Sequence, residues 1–186
     1  SRKLTDIYYP KHVEALNVTK GDIKNAGLIT EPISYASKGF PSSVMERKMH
    51  DRLPPGGATG KNNWTSVEDI GKLLEMIYNK ECVSKQASEQ MLLLLKQQER
   101  TNKIPKLIKE KQLPVIVANK TGELNQVEND AAIITGEGID DFIFVIMIGD
   151  IPYDENNRQQ SIALKKKITD NIAQISLDLV SVFEKK

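Results

Sequence analysis

The sequence has only one cysteine, Cys82, and two histidines, His12 and His50. A single cysteine cannot form an internal disulfide, and a zinc site built on thiolates needs more than one. The two histidines lack the spacing that is typical of metal ligands, and we interpret both as surface side chains. We therefore expect neither a metal site nor a cofactor.

The sequence also lacks a marked excess of one charge sign. It has 26 Lys and Arg residues and 25 Asp and Glu residues, which give a net charge of +1. This balance argues against nucleic acid or an anionic membrane as the main partner. No apolar run approaches the roughly 18 residues that cross a bilayer. The opening "SRKLTDIYYPKHVEAL" lacks the apolar segment of a signal peptide. Aromatic residues make up only 5% of the chain, so the core must be built from Ile, Leu, Val and Met.

The first third of the sequence gives weak structural signals. Residues 1–29 show no clear periodicity and remain unassigned to any domain. The stretch "TEPISYASKG" predicts a short helix over residues 30–39, because Thr30 suits the N-cap, Pro32 the first turn and Gly39 the position after the helix. Residues 40–64 carry three prolines and three glycines. They predict a long loop, which in a compact domain is usually functional or disordered.

Helical signals become clear from Thr65 onward. Thr65 and Glu68 form a T-x-x-E capping box ahead of apolar residues at helical spacing. A second helix is predicted from Ser84, and Pro105 breaks a third, short element. A long helix is predicted from about Asn157 to the end. Its apolar stripe consists of Leu164, Ile168, Ile172, Ile175, Leu179 and Val182.

Three strand-like runs precede this last helix, at residues 115–118, 131–135 and Phe142–Ile148. Their short connections predict antiparallel pairing. The third run, "FIFVIMI", is almost wholly apolar and is predicted to be a central strand covered on both faces. The predicted fold class is α+β, with an antiparallel β-sheet covered by a long C-terminal helix and a helical region N-terminal to it. A sheet of three strands under one helix leaves at least one long edge open.

The stretch "NKTGE", residues 119–123, follows the apolar run "LPVIVA" and admits two interpretations. In the first, Lys-Thr-Gly is an ordinary turn after a strand, with the glycine at a positive φ. In the second, the triplet lines a pocket for an anion. These residues alone leave both interpretations open.

From roughly Thr30 to the end, several motifs in a fixed order resemble class A β-lactamase-like serine hydrolases, the penicillin-recognising family. "SYASKGFPSSVMERKMHD" resembles the segment that leads into the omega loop of this family, and "NNWTSVEDIGKLLEMIY" the helix after it. "LPVIVANKTGELNQVENDAAII" resembles the strand with the K-T-G box and its neighbour. "IFVIMIGD" and the final amphipathic helix complete the order. The resemblance implies an incomplete β-lactamase/transpeptidase-like domain over residues 30–186.

The resemblance implies a role for each residue of the box. Lys120 would place a cation where a substrate carboxylate docks, and the Thr121 hydroxyl would donate to the same carboxylate. Gly122 would let the substrate approach the strand edge, since it has no Cβ. The backbone N–H of Glu123 would form half of an oxyanion hole, where one donor contributes roughly 3–4 kcal/mol.

The sequence also departs from the family pattern. The nucleophile of the family lies in S-x-x-K, and no serine of this chain has a lysine three residues later. The S-D-N box is missing as well; Asp22 and Asn25 lie only in its approximate neighbourhood. With Arg47 aligned to the omega-loop arginine, the position of the water-activating glutamate is Met49, which cannot act as a base. We interpret Arg47 as a structural anchor of a solvated loop.

Three hypotheses follow for the function. The first is a β-lactamase-like serine hydrolase domain that acts through an acyl-enzyme on a β-lactam or a peptidoglycan-type amide or ester, and is expected to be inactive as this chain because the nucleophile is absent from it. The second is a degenerate, non-catalytic homologue that serves as a binding or sensory module for a carboxylate ligand. The third is a structural domain in which K-T-G is only a turn. The resemblance implies an extracytoplasmic location.

Overall fold

The computed structural model describes residues 33–34, 36–45 and 64–185. These residues divide into two compact units, the first reaching to Ser66 and the second beginning at Val67. Each unit has its own backbone pairing. Thr30, Pro32 and the residues around Arg47 lie outside the described part of the chain.

In the first unit, strands β1 (Ile33–Ser34) and β2 (Val44–Met45) pair antiparallel. Val44 also exchanges two backbone hydrogen bonds of 2.9 Å with Trp64. The prediction of a helix over residues 30–39 is wrong for the described part of this stretch, because Ile33–Ser34 form a strand and Ala36–Lys38 form a single 3-10 turn. Pairing between the two short strands has overridden the local helix signals. Gly39 has a φ of 85°, a conformation that glycine adopts without steric cost.

The second unit begins with three helices, α1 (Val67–Tyr78), α2 (Lys85–Lys96) and α3 (Pro105–Glu110). The predicted start of the second helix is confirmed, because Ser84 is its N-cap and the Ser84 hydroxyl accepts a 3.1 Å hydrogen bond from the Ala87 N–H. Helix α1 begins later than the predicted capping box, and the Thr65 hydroxyl instead shares a 2.9 Å hydrogen bond with that of Ser43. Pro105 begins α3 rather than breaking it, because a proline in the first turn loses no helical hydrogen bond.

The sheet of the second unit contains β3 (Val115–Leu124), β4 (Val127–Gly136) and β5 (Phe142–Ile148) in the order β3–β4–β5, all antiparallel. With the long helix α4 (Arg158–Val182) after it, this arrangement confirms the predicted α+β fold. The bounds of β5 are those predicted. The prediction that β5 is a central strand is wrong, because β4 is the central strand of the described sheet and β5 lies at an edge. The other two strands are longer than predicted, because cross-strand pairing extends them into polar sequence.

Side chains alternate across the sheet and form two faces, each covered by different helices. The α4 face includes Val117, Ala132, Ile134 and Phe144, and packs against α4 and α3. The predicted stripe on α4 is correct for Ile172, which is 1% exposed, but wrong for Ile175 and Val182, which are 44% and 73% exposed. Other residues of the helix are buried instead, in addition to Ile172. They are Ser161, Thr169, Ala173, Ser176 and Val180.

The opposite face of the sheet, which we call the α1–α2 face, packs against the first two helices. Its buried members include Ala118, Ala131 and Ile133, in contact with Leu74 and Ile77 of α1. Partly buried side chains from α2 complete this second core. Within the described residues, no helix combines the length and the hydropathy that would span a membrane.

Candidate functional site

A cavity of about 490 Å³ lies between the α1–α2 face of the sheet and the two helices that cover it. Most of its wall is apolar, with Ile70, Leu73, Met91 and Leu95 on the helices. Most polar residues of the wall lie on β3 and β4 and include all three residues of the K-T-G box; Gln98, which follows α2, is the other. The members on the two strands are Asn119, Lys120, Thr121, Gly122, Asn129 and Asp130. Clefts of this size and composition are typical of sites for small molecules.

The K-T-G box lies inside β3 and not after it. Lys120 is opposite Ala131, Thr121 opposite Asp130, and Gly122 opposite Asn129. Gly39 is the only glycine with a positive φ in the described part of the chain, so Gly122 has ordinary strand geometry. The interpretation of K-T-G as a turn is therefore wrong.

Gly122 is not required by the packing of the strand. A Cβ built at this position would meet only the Asn129 side chain, at 3.5 and 3.7 Å, which is ordinary van der Waals contact. Glycine inside a strand weakens it, and it often marks a place where a ligand or another backbone approaches closely. The open space beside Gly122 belongs to the cavity.

Strand alternation places Lys120 on the same face as Gly122, and Thr121 on the opposite face. The Lys120 side chain is exposed, and its ammonium donates a hydrogen bond to the Thr121 carbonyl. Thr121 is 7% exposed and pairs with Asp130 on the α4 face. The structure thus brings Lys120 and Gly122 together at the cavity, while the Thr121 side chain points to the other side of the strand.

The contacts of Lys103, a residue that no sequence pattern singled out, show the backbone direction at Glu123. The ammonium of Lys103 donates to the carbonyls of Gly122 and Asn129, at 3.4 and 3.0 Å. These residues are opposite each other, so both carbonyls point into the space between β3 and β4. Because backbone groups alternate along an antiparallel strand, the N–H of Glu123 points the other way, to the edge of β3. That edge is unpaired in the described sheet.

Lys103 is also the centre of a chain of alternating charges on the α4 face. It is fully buried, with its ammonium 3.1 Å from a Glu123 oxygen and 2.7 Å from a Glu128 oxygen. Arg100 pairs with the other oxygen of Glu123, and Lys165 of α4 lies 2.7 Å from the other oxygen of Glu128. The three cations and two carboxylates alternate in sign and join β3, β4 and α4.

Asp130 is a further buried ionisable residue beneath the K-T-G box. Its carboxylate accepts hydrogen bonds from the Asn119 side chain at 3.0 Å, the Ile104 N–H at 3.1 Å and the Ala131 N–H at 3.0 Å. Burial raises the pKa of Asp130 above its ordinary value, although these hydrogen bonds and the nearby Lys103 charge oppose the shift. These contacts tie β3, β4 and the segment before α3 together.

Other residues considered from the sequence lie outside the described part of the chain. They are His12, Asp22, Asn25, Arg47, Met49 and His50. Cys82 is buried in the core beneath the α1–α2 face. Among the described residues, no group of three His, Cys, Asp or Glu side chains is arranged to hold a metal ion.

The fold is similar to that of solved β-lactamases. A β-lactamase from Sphaerobacter thermophilus DSM 20745 superposes with a TM-score of 0.54 at 22% identity, over 75% of this chain and 51% of that one. The chromosome-encoded β-lactamase of Vibrio parahaemolyticus gives 0.58 at 15% identity, over 81% and 53%. The structure of PBP-A gives 0.53 at 18% identity, over 76% and 48%. The chain therefore spans about half the length of these proteins.

Comparison with curated protein sequences gives no match to the chain. Comparison with family models agrees with the similarity of fold. A family model described as the beta-lactamase enzyme family matches residues 33–176, which is more than half of the chain and includes the K-T-G strand, its neighbours and most of α4. The chain belongs to the beta-lactamase enzyme family.

Proposed function

We propose that this chain provides the carboxylate-binding and oxyanion-binding part of a β-lactamase-like serine hydrolase site. The observation that carries the proposal is Gly122, a glycine in the middle of a strand that neither φ nor packing requires, beside Lys120 at the wall of a cavity. A substrate carboxylate would pair with Lys120. A carbonyl oxygen that becomes negative during the reaction would accept from the Glu123 N–H at the edge of β3.

The reaction class proposed is acyl transfer through an acyl-enzyme, on a β-lactam or a peptidoglycan-type amide or ester. The proposed roles require an extracytoplasmic location, where such substrates occur. Family membership supports this class, and so does the arrangement of Lys120, Gly122 and the edge N–H groups. The serine nucleophile has no candidate in the 186 residues, because S-x-x-K is absent. We therefore propose that the chain alone binds ligands without turning them over.

The second candidate is a non-catalytic homologue that keeps the same pocket for binding or sensing a carboxylate ligand. The departures in the sequence favour it, since Met49 stands at the position of the glutamate that activates water in the family. Both candidates use Lys120 in the same way. Labelling the protein expressed from the natural gene with a fluorescent penicillin, followed by intact-mass measurement, separates them: a covalent adduct supports the hydrolase, and its absence supports the binding module.

The shared part of the proposal is tested by titrating the ¹⁵N-labelled chain with acetate and recording NMR spectra. We expect saturable shifts at Lys120, Gly122 and Glu123, and weaker binding at higher salt because an exposed ion pair is screened. Lys120→Ala should abolish the binding and keep the fold, since this side chain is exposed. Lys111→Ala removes another exposed lysine, outside the cavity lining, and should bind as the unmodified chain does. Shifts scattered over the surface and unchanged in Lys120→Ala would refute the proposal.

A further inference from the structure

We propose that Lys103 is a positioning residue that acts through one peptide bond: its ammonium polarises the Gly122–Glu123 peptide and makes the Glu123 N–H a stronger donor to an anion at the strand edge. The role assigned to that anion rests on the proposed function. The effect of Lys103 on the Glu123 N–H does not depend on the proposed function, and it can be measured without a ligand.

The first step is the position of the ammonium. Lys103 is 0% exposed, and its Nζ donates to the Gly122 carbonyl at 3.4 Å. That carbonyl and the Glu123 N–H belong to the same planar, resonance-coupled group and point in opposite directions. A cation at the oxygen stabilises the form in which oxygen is negative and nitrogen positive. The N–H bond on the far side of the strand therefore becomes more polar.

The second step is selectivity along the edge. Thr121 and Glu123 both direct their N–H groups to the edge of β3, as alternation requires. The peptide that carries the Thr121 N–H has the Lys120 carbonyl at its other end, and Lys103 makes no hydrogen bond to it within the described part of the chain. Lys103 thus distinguishes the Glu123 N–H, which is the one proposed for the oxyanion hole.

The third step is the fixed charge. Glu123 and Glu128 hold the ammonium at 3.1 and 2.7 Å, and the Asn129 carbonyl accepts a further hydrogen bond at 3.0 Å. Fully buried behind the strand, the ammonium cannot reach a ligand in the cavity. Buried ion pairs often contribute little net stability compared with apolar residues of similar size. Hydrogen bonds that are linked in a chain polarise one another. The buried ammonium therefore acts on the Gly122 carbonyl as a fixed charge.

The test is the base-catalysed exchange rate of single backbone N–H groups, measured by NMR in the free chain. Exchange removes the N–H proton and leaves negative charge on the carbonyl oxygen, so the ammonium at that oxygen should accelerate it. In the unmodified chain, we expect Glu123 to exchange faster than Thr121 after correction for neighbouring side chains. Equal corrected rates would overturn the proposal without any variant.

The variant for this test is Lys103→Met combined with Glu128→Gln, which removes the ammonium and one of its carboxylates together. The remaining carboxylate, Glu123, keeps Arg100 as its partner. We expect the Glu123 exchange rate to fall about tenfold relative to Thr121, because unit charges about 3.4 Å apart interact by several RT even at a protein-like dielectric constant. Glu128→Gln alone keeps the ammonium at the carbonyl and should leave the ratio of the two rates nearly unchanged.

The outcomes separate this inference from the proposed function. A ratio in the double variant equal to that in Glu128→Gln refutes the role of Lys103. If the double variant does not fold, the comparison of Glu123 with Thr121 in the unmodified chain decides. Acetate titration of the same samples tests the proposed function. Binding that depends on Lys120 in the unmodified chain, and is weaker in the double variant, supports both. Equal corrected exchange rates of Glu123 and Thr121 in the unmodified chain, with Lys120-dependent acetate binding intact, refute only the inference. A higher Glu123 rate without Lys120-dependent acetate binding refutes only the proposed function.

Discussion

At the scale of single residues, Gly122 gives a direct test of whether the cavity wall serves a ligand. Gly122→Ala should keep or slightly raise the melting temperature, because its new Cβ meets only Asn129 at 3.5 Å and glycine in a strand costs about 0.5–1 kcal/mol relative to alanine. The same methyl group stands beside Lys120 on the cavity face. We expect acetate affinity, measured by NMR titration, to fall about three- to tenfold.

Gly136→Ala is the matched control for Gly122→Ala. A Cβ at Gly136 would lie 3.0 Å from the Pro114 carbonyl oxygen and 3.0 Å from a Val115 methyl group, so the strand must shift. Overpacking of this kind typically costs about 1–3 kcal/mol. Gly136→Ala should therefore lower the melting temperature and leave acetate affinity unchanged. Unchanged affinity in Gly122→Ala would show that the open space beside Lys120 is not used by the ligand.

The pKa values of two aspartates are expected to be shifted in opposite directions from the ordinary value. Burial raises the pKa of Asp130, whereas hydrogen bonds from Lys106 and then Lys166 lower the pKa of Asp170. For Asp130 the folded state holds its proton more tightly, so stability falls as pH rises from the unfolded value of about 3.9 through the folded pKa. For Asp170 the sign is reversed, and its contribution is lost as pH falls through its lowered pKa. Carbon-detected NMR titration should rank Asp130 above Asp170; the opposite order would contradict the described contacts.

Some residues of the candidate site could be predicted from the sequence, and others could not. Lys120, Gly122 and Glu123 could be selected because K-T-G is a short motif in a recognisable order of elements. Lys103 could not, since "RTNK" has the composition of a loop and nothing in it shows that one lysine is fully buried. Its burial depends on Glu123 and Glu128, which are distant in sequence and meet it only in the folded sheet.

At the scale of elements, patterns with strong hydrophobic signals gave correct bounds. The strand Phe142–Ile148 is a continuous apolar run between Asp141 and Gly149, so both ends were visible in the sequence. The end of β3 was not, because its last residues are polar or glycine and are held in the strand by pairing with β4. Local propensity is a weak guide where cross-strand pairing decides the conformation.

The packing of α4 on the sheet gives the prediction at this scale. Ile172 is 1% exposed and lies in the core of the α4 face, whereas Ile162 of the same helix is 60% exposed. Ile172→Ala should lower the free energy of unfolding by about 2–5 kcal/mol, from lost apolar burial and the cavity left behind. Ile162→Ala should change it by less than about 0.5 kcal/mol. Urea unfolding followed by circular dichroism measures both; equal effects would show that α4 does not pack as described.

At the scale of the whole molecule, the chain spans about half the length of the solved structures it resembles. The parts of the site it contains lie on one sheet and its covering helices: an exposed cation, an open glycine position and an edge N–H. We propose that they bind and orient an anion. They do not supply a nucleophile or a base, and binding alone gives only a small part of the catalysis of an intact site.

The last prediction follows from this division of roles: the 186-residue chain should not hydrolyse β-lactams. No serine has a lysine three residues later, and the resemblance implies that Met49 takes the position of the family's water-activating glutamate. We therefore expect the rate of nitrocefin hydrolysis to equal that of a buffer blank, and intact-mass measurement after incubation with benzylpenicillin to show no adduct. An active β-lactamase in the same assay controls for the substrate. Hydrolysis above the blank that disappears when one serine of this chain is replaced by alanine would contradict the prediction, since it would identify a nucleophile outside S-x-x-K. Hydrolysis that survives every such replacement would point to a contaminant.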